Sequence, residues 1–215
     1  MLTSSQSPQP AIVLGSRSPR RRELLAHLVP ASRIVVAPPA SPDEAGFEGL
    51  NAWTLINERL REIARKKNED VRAVQPIDSI VVTADTVIVG EAEGELAVLG
   101  QPPETPDWPE VVRSWFDRYL LGRPHFAVTA VCVSNRADRW ERIVQTRVTF
   151  AAAEPDLVDW YLATGESRGK AGGYALQGAG SLFVEDICGS PSNVVGLPLR
   201  ETRDLLIEAG ALVAS

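Results

Sequence analysis

Apolar and polar positions alternate between two periods along this chain. Ala11-Ile12-Val13-Leu14-Gly15 is short and uniformly apolar, which suits a buried strand. Leu24, Leu25 and Leu28 then recur at helical spacing, and Arg33–Val36 predicts a second, short strand. From Leu50 to Lys67, the residues Leu55, Ile56, Leu60, Ile63 and Ala64 share one face of a 3.6-residue period, the pattern of an amphipathic helix. Ser79–Gly90, rich in Val and Ile, is the most strand-like segment. Residues 91–109 read as a polar, proline-rich connection, and Glu110–Leu121 predicts a helix around Val111, Trp115, Phe116 and Leu120. Phe126–Ser134 and Arg139–Phe150 predict the two strands of a hairpin. Glu154-Pro155 opens a helix over Asp156–Ala163, followed by a glycine-rich loop over 165–180, a strand over Leu182–Ile187 and a last helix over Pro198–Ala209.

The hairpin rules out a purely parallel sheet. The expected fold class is α/β, a mixed central sheet with flanking helices. No segment repeats, and the proline-rich stretch near residues 101–109 is the only candidate boundary. Residues 1–10 are polar and proline-containing, so a disordered tail is expected there, with residues 11–215 forming a single domain.

Composition narrows the function. With 44% hydrophobic and 23% charged residues, the chain matches ordinary globular proteins. A formal charge of -6 argues against a nucleic-acid partner, which calls for a basic footprint over the domain. Cys132 and Cys188 sit in apolar surroundings and read as buried thiols in a reducing compartment. No run approaches the ~18 apolar residues of a membrane span, and the first residues lack the basic-then-apolar order of a signal peptide. A cytoplasmic location is expected, without membrane contact.

Three segments carry candidate chemistry. In Ser16-Arg17-Ser18-Pro19-Arg20-Arg21-Arg22-Glu23, Ser18 reads as an N-cap and Pro19 as the first helical residue. Arginines in a first turn oppose the helix macrodipole, a cost that makes sense where a phosphate-bearing ligand sits on the helix start. The plain alternative is an Arg-rich surface turn, since the chain has three lysines and uses Arg almost everywhere. Asp85 stands inside Ile80-Val81-Val82-Thr83-Ala84-Asp85-Thr86-Val87-Ile88-Val89, where an ionised carboxylate needs a partner or a metal. It reads as a general base or metal ligand with the Thr86 hydroxyl beside it, or else as a structural acid paired with an arginine. In Gly169-Lys170-Ala171-Gly172-Gly173-Tyr174-Ala175-Leu176-Gln177-Gly178, small residues allow close backbone approach. There Lys170 brings a charge, and Gln177 has the donor and acceptor that read a pyrimidine edge. The segment is not a Walker loop, and such a stretch alone is more often a flexible turn. Gly189–Pro198 resembles another tight phosphate-proximal turn, while His27 and His125 read as structural.

Taken in order, these segments resemble the Maf family of nucleoside triphosphate pyrophosphatases. The likeness rests on Ser16-x-Ser18-Pro19-Arg20-Arg21-x-Glu23-Leu24-Leu25, Ala84-Asp85-Thr86, Gly122-Arg123-Pro124-His125 with Thr129-Ala130-Val131, Lys170-Ala171-Gly172-x-Tyr174-x-x-Gln177-Gly178 and Val195-Gly196-Leu197-Pro198-Leu199. It spans about residues 11 to 200. The resemblance implies two lobes around a deep cleft, a homodimer, and divalent-metal-assisted hydrolysis (Mg²⁺ or Mn²⁺) of a nucleoside triphosphate to the monophosphate and pyrophosphate. Asp85 matches the family's proton acceptor and is a metal-ligand candidate. Ser16, Ser18, Arg20, Arg21, Arg59, Thr86, Lys170 and Gln177 match substrate-binding positions. Arg20, Thr86 and Gln177 resemble the branch that prefers dTTP and UTP, not the one that prefers 7-methyl-GTP.

The chain departs from the family pattern at four places. A lysine of the second long helix is matched to Arg59, a lysine before proline becomes Gln101, and the acid before Lys170 becomes Gly169. Asp43 and Glu44 are the nearest candidates for a further acid. These departures leave a second reading open, a catalytically weak nucleotide-binding regulator affecting cell division. A phosphosugar-binding domain is a third reading, which explains the arginines but not Asp85 with Gln177.

Overall fold

In the computed structural model, residues 10–40 and 46–213 are described. All but Pro10 of the expected tail lies outside them, as do Asp43 and Glu44. Strand β1 (Ile12–Leu14) leads into helix α1 (Pro19–Ala26), which returns through a short 3-10 turn to β2 (Ile34–Val36). The long helix α2 (Trp53–Arg72) precedes β3 (Ile80–Ala92), β4 (Glu95–Leu99) and α3 (Trp108–Trp115). The hairpin of β5 (Pro124–Ser134) and β6 (Arg139–Phe150) follows, then α4 (Pro155–Ala163), β7 (Val184–Cys188), α5 (Pro191–Val195) and α6 (Leu199–Glu208).

These strands form one seven-stranded sheet in the order β2-β1-β3-β5-β6-β7, with β4 paired to β3 off that path. β1 is parallel to both β2 and β3, and the remaining pairs are antiparallel, so the sheet is mixed as expected. Period-two alternation sorts its side chains. Ile12, Leu14, Ile80 and Val82 join Leu24 and Leu25 of α1 and Leu205 and Leu206 of α6 in one core. On the other face, Val87, Val89, Val128 and Cys132 pack with Ile56, Leu60 and Ala64 of α2. A third core gathers Phe116, Phe150, Tyr161, Tyr174 and Phe183. Side chains of this size each contribute about 1.5–3 kcal/mol on full burial.

The register creates the feature that matters for function. β5 lines one edge of β3 from Val81 to Val89. Along the opposite edge, β1 pairs with residues 80–82 and β4 with residues 88–92. Among the described residues, no strand pairs with the stretch 83–87 along that edge. A gap of that kind lets successive strand residues, which normally face opposite sides of a sheet, open onto the same space. Asp85 and Thr86 sit in it.

Several expectations are corrected. The connection over residues 91–109 contains β4, and β3 runs on to Ala92. Glu93 (φ 56) and Gly94 (φ 79) make the two-residue turn with positive φ at both positions that joins antiparallel strands. The helix expected over Leu50–Lys67 runs from Trp53 to Arg72, so Lys67 is interior. α3 spans Trp108–Trp115 and gives way to a wider π turn over Phe116–Leu120. The last strand is Val184–Cys188, and Cys188 is exposed, unlike the buried Cys132. The turn expected over 189–198 contains α5. No helix among the described residues is long and apolar enough to cross a membrane.

Candidate active site

The turn between β1 and α1 is shaped by its own hydroxyls. Ser16 is buried, and its Oγ accepts from the Ser18 backbone N–H at 3.2 Å. Ser18 caps α1 as expected, its Oγ accepting from Arg21 N at 3.4 Å, with Pro19 at the first helical position. The first turn holds no acidic residue. Arg21 turns inward. It donates through Nε to the Gly196 carbonyl at 2.9 Å, through Nη1 to Ser16 Oγ at 3.3 Å and through Nη2 to Thr86 Oγ1 at 3.1 Å. Its guanidinium therefore ties three segments together at the cleft wall. Thr86 is equally engaged, with Thr129 Oγ1 2.9 Å away, so its hydroxyl acts first as part of this brace.

Asp85 is not paired with an arginine. Lys67 Nζ donates to its Oδ1 at 2.7 Å, and each side chain is 14% exposed. Helix α2 is held in position for this contact. Thr83 Oγ1 donates to the Ala64 carbonyl at 2.7 Å, and buried Asn68 donates to the Val81 carbonyl at 3.2 Å while accepting from Ser134 Oγ at 2.7 Å. These bonds flank Lys67 on either side. An ammonium on a nearly buried helix face thus meets a carboxylate on a nearly buried strand, which satisfies both charges.

The glycine-rich loop closes the far wall. Gly172 has φ 68, and a Cβ there would stand 2.6 Å from Ile88 Cγ1, so only glycine lets the loop lie on β3. Its N–H donates to the Gly100 carbonyl at 2.9 Å, which fastens the loop beside Gln101. Arg20 reaches across, an Nη 3.5 Å from the Gly169 carbonyl. Burial holds the Arg20 guanidinium below its ordinary pKa, against the opposing pull of Glu23. Lys170 is lowered too, by burial first and then by the charge of Arg20. An anion placed between these two cations would relieve both effects.

Together these walls bound a cleft of about 610 Å³, within the usual range for small-molecule sites. The structure brings Ser16, Ser18, Arg20, Arg21, Asp85, Thr86, Lys170 and Gln177 to it. Gln177 is exposed there. Arg59 is not brought in. Its Nε bonds Glu62 at 3.1 Å and its Nη1 bonds the Gly46 carbonyl at 2.7 Å, away from the cleft lining. The helix cation at the cleft is Lys67, which the sequence reading missed by ending α2 at that residue. A cation on the apolar stripe of α2, with an acid inside the Val/Ile run of the next strand, was the available signal. His125 is fully buried, as a structural histidine should be, with Nε2 3.0 Å from the Tyr174 hydroxyl.

A model of Maf-like proteins matches residues 11–209. The chain belongs to the Maf family. It is 43% identical over 205 residues to a protein of Anaeromyxobacter dehalogenans named dTTP/UTP pyrophosphatase, covering 94% of this chain and 95% of that one. Proteins with the same name from Shewanella oneidensis (37% over 206 residues, 94% and 99% covered) and Clostridium beijerinckii (34% over 201 residues, 92% and 98% covered) are also similar. The resemblance seen in the motifs therefore extends over almost the entire length of each chain.

Proposed function

We propose that this Maf-family chain is a nucleoside triphosphate pyrophosphatase that converts dTTP and UTP to the monophosphate and pyrophosphate. The observation carrying the reading is that Asp85, held by Lys67, opens onto the same cleft as the cationic Ser16–Arg21 turn. The names of its relatives point to the same substrates.

In this reading the triphosphate lies along the start of α1, where free backbone N–H groups and the helix dipole favour an anion. Arg20 and Lys170 neutralise phosphate oxygens, with Arg21 adding its charge from within the brace. Lys67 donates to Oδ1 of Asp85 and leaves Oδ2 to take a proton from a water. That water attacks the α-phosphorus in line, and pyrophosphate departs from the opposite side. Gln177 reads the pyrimidine edge.

Among the described residues no three of His, Cys, Asp or Glu cluster as a resident metal site. Asp85 alone fits a Mg²⁺ or Mn²⁺ delivered on the nucleotide, because Mg²⁺ commonly takes one or two carboxylates together with substrate phosphates. When bound, such an ion neutralises phosphate charge. The protein works in the cytoplasm as a homodimer, the latter checked by sedimentation velocity.

The test is pyrophosphate release from a panel of triphosphates with Mg²⁺ or Mn²⁺. Release from dTTP and UTP is the expected result. Saturable binding without release favours the regulator, and preference for a methylated purine refutes the pyrimidine assignment.

A further inference from the structure

Arg168 stands at the cleft lining with its guanidinium over the ring of Trp108, 5.0 Å from the centroid. Elsewhere on the molecule the arginines Arg65, Arg113, Arg139 and Arg142 pair with carboxylates. No ion pair to Arg168 forms among the described residues. The acid two residues away does not compensate it either. Glu166 accepts from the backbone N–H groups of Ala179 and Gly180, both at 2.9 Å, and so serves the loop instead.

The position of this cation is built in. Its backbone N–H donates to the Gly165 carbonyl at 3.3 Å, and the loop beyond is fastened at Gly172 to the Gly100 carbonyl. Gln101 follows at once and lines the same cleft, and Trp108 begins α3 at the end of that same segment. Arg168 therefore leans on the wall that carries Gln101, a neutral side chain. Arg20 and Lys170 already crowd one another across Gly169. A third positive charge, itself exposed and resting on the ring of the buried Trp108, adds to this crowding unless an anion is the intended occupant. A cation–π contact at an exposed site is weaker than a charge-assisted bond to phosphate, so the side chain gains by leaving the ring for an anion.

We propose that Arg168 is a substrate-binding residue that contacts the pyrophosphate portion of the bound nucleotide, with Trp108 as its resting place before the nucleotide binds. This rests on the nucleotide reading above and deepens it. It predicts selective recognition of the departing polyphosphate over the monophosphate.

Calorimetric titration of the full chain with inorganic pyrophosphate and with dTMP tests it. Arg168→Gln is expected to weaken pyrophosphate binding by about tenfold or more, the loss of one charged hydrogen bond, and to change dTMP binding less than twofold. Adding Gln101→Lys to that variant should restore most of the pyrophosphate affinity, because it returns a cation to the adjoining wall. Arg118→Gln, which removes an arginine stacked on Tyr119 outside the cleft, should leave both affinities unchanged. The proposal is overturned if Arg168→Gln binds pyrophosphate within twofold of the parent, or if dTMP binding falls in equal measure. A parent protein that binds neither ligand overturns the nucleotide reading itself, a result separate from an indifferent Arg168.

Discussion

Replacing Lys67 by methionine keeps the aliphatic stem along α2 and removes only the ammonium that bonds Asp85 at 2.7 Å. Both side chains are 14% exposed, so the carboxylate loses its main donor where water replaces it poorly. A charged hydrogen bond contributes about 1.5–3 kcal/mol, and breaking a buried pair by removing one partner costs about 3–5 kcal/mol. The partial exposure here places the stability loss near the lower figure, about 2 kcal/mol. For a chain of this size each kcal/mol moves the melting midpoint by about 2–4 °C, so a fall of roughly 4–8 °C is expected. Turnover should drop further, by about 10–100-fold, because an unanchored Asp85 is misplaced for proton transfer. Thermal melts and pyrophosphate release from dTTP at pH 7 measure the two effects. Arg59→Gln is the matched control, since Arg59 bonds Glu62 and the Gly46 carbonyl outside the cleft, and its kcat/KM should stay within twofold. A Lys67→Met protein with unchanged melting midpoint and kcat within threefold of the parent would mean that Lys67 does not hold Asp85 in place. An Arg59 variant that loses activity instead would contradict its place outside the cleft.

Two further outcomes follow from other parts of the fold. Burial pushes the His125 pKa down from 6.5 to about 3, so the ring is neutral in the native state and charges on unfolding. A depressed histidine leaves stability complete above the unfolded pKa and erodes it as pH falls, at most about 1.4 kcal/mol per pH unit. Urea unfolding should therefore show about 1–2 kcal/mol less stability at pH 5 than at pH 6.5, and His125→Gln should remove that slope; an identical slope in the variant contradicts the assignment. Gly172→Ala forces a Cβ to within 2.6 Å of Ile88 at φ 68. The expected cost is about 1–3 kcal/mol, together with a raised KM for dTTP as the loop lifts from β3, and unchanged melting and KM would show that the loop does not need that approach.

Much of the molecule was legible in its letters because the relevant signals are local. The Ser18 cap and Pro19 at the first helical position are chemistry of adjacent residues, and the alternation in β3 and β5 follows from the pleat. The misplaced acid in a Val/Ile strand did mark the cleft. What escaped depends on partners distant in sequence. The Lys67–Asp85 pair spans 18 positions and two elements, and closing α2 five residues early turned a largely buried cation into an ordinary helix end. The engagement of Arg21 with Gly196, 175 positions away, could not be read from the arginine run, which suggested only ligand contact. β4 was hidden because Glu91, Glu93 and Glu95 made its hairpin resemble a polar linker, although Glu93-Gly94 between Val/Ile-rich and Leu/Val-rich stretches is a turn signal. Cys188 was expected to be buried, yet it follows Glu185 and Asp186 on the sheet-edge strand β7 and is exposed.

In the proposed reaction Asp85 accepts the proton of the attacking water, in a cleft that binds the triphosphate by other groups. Comparing the Asp85→Asn protein with the parent for both dTTP affinity and single-turnover pyrophosphate release tests it most directly. Release should slow about 10²-fold or more, with affinity changed only a few-fold. Release at close to the parental rate from the asparagine protein would contradict it.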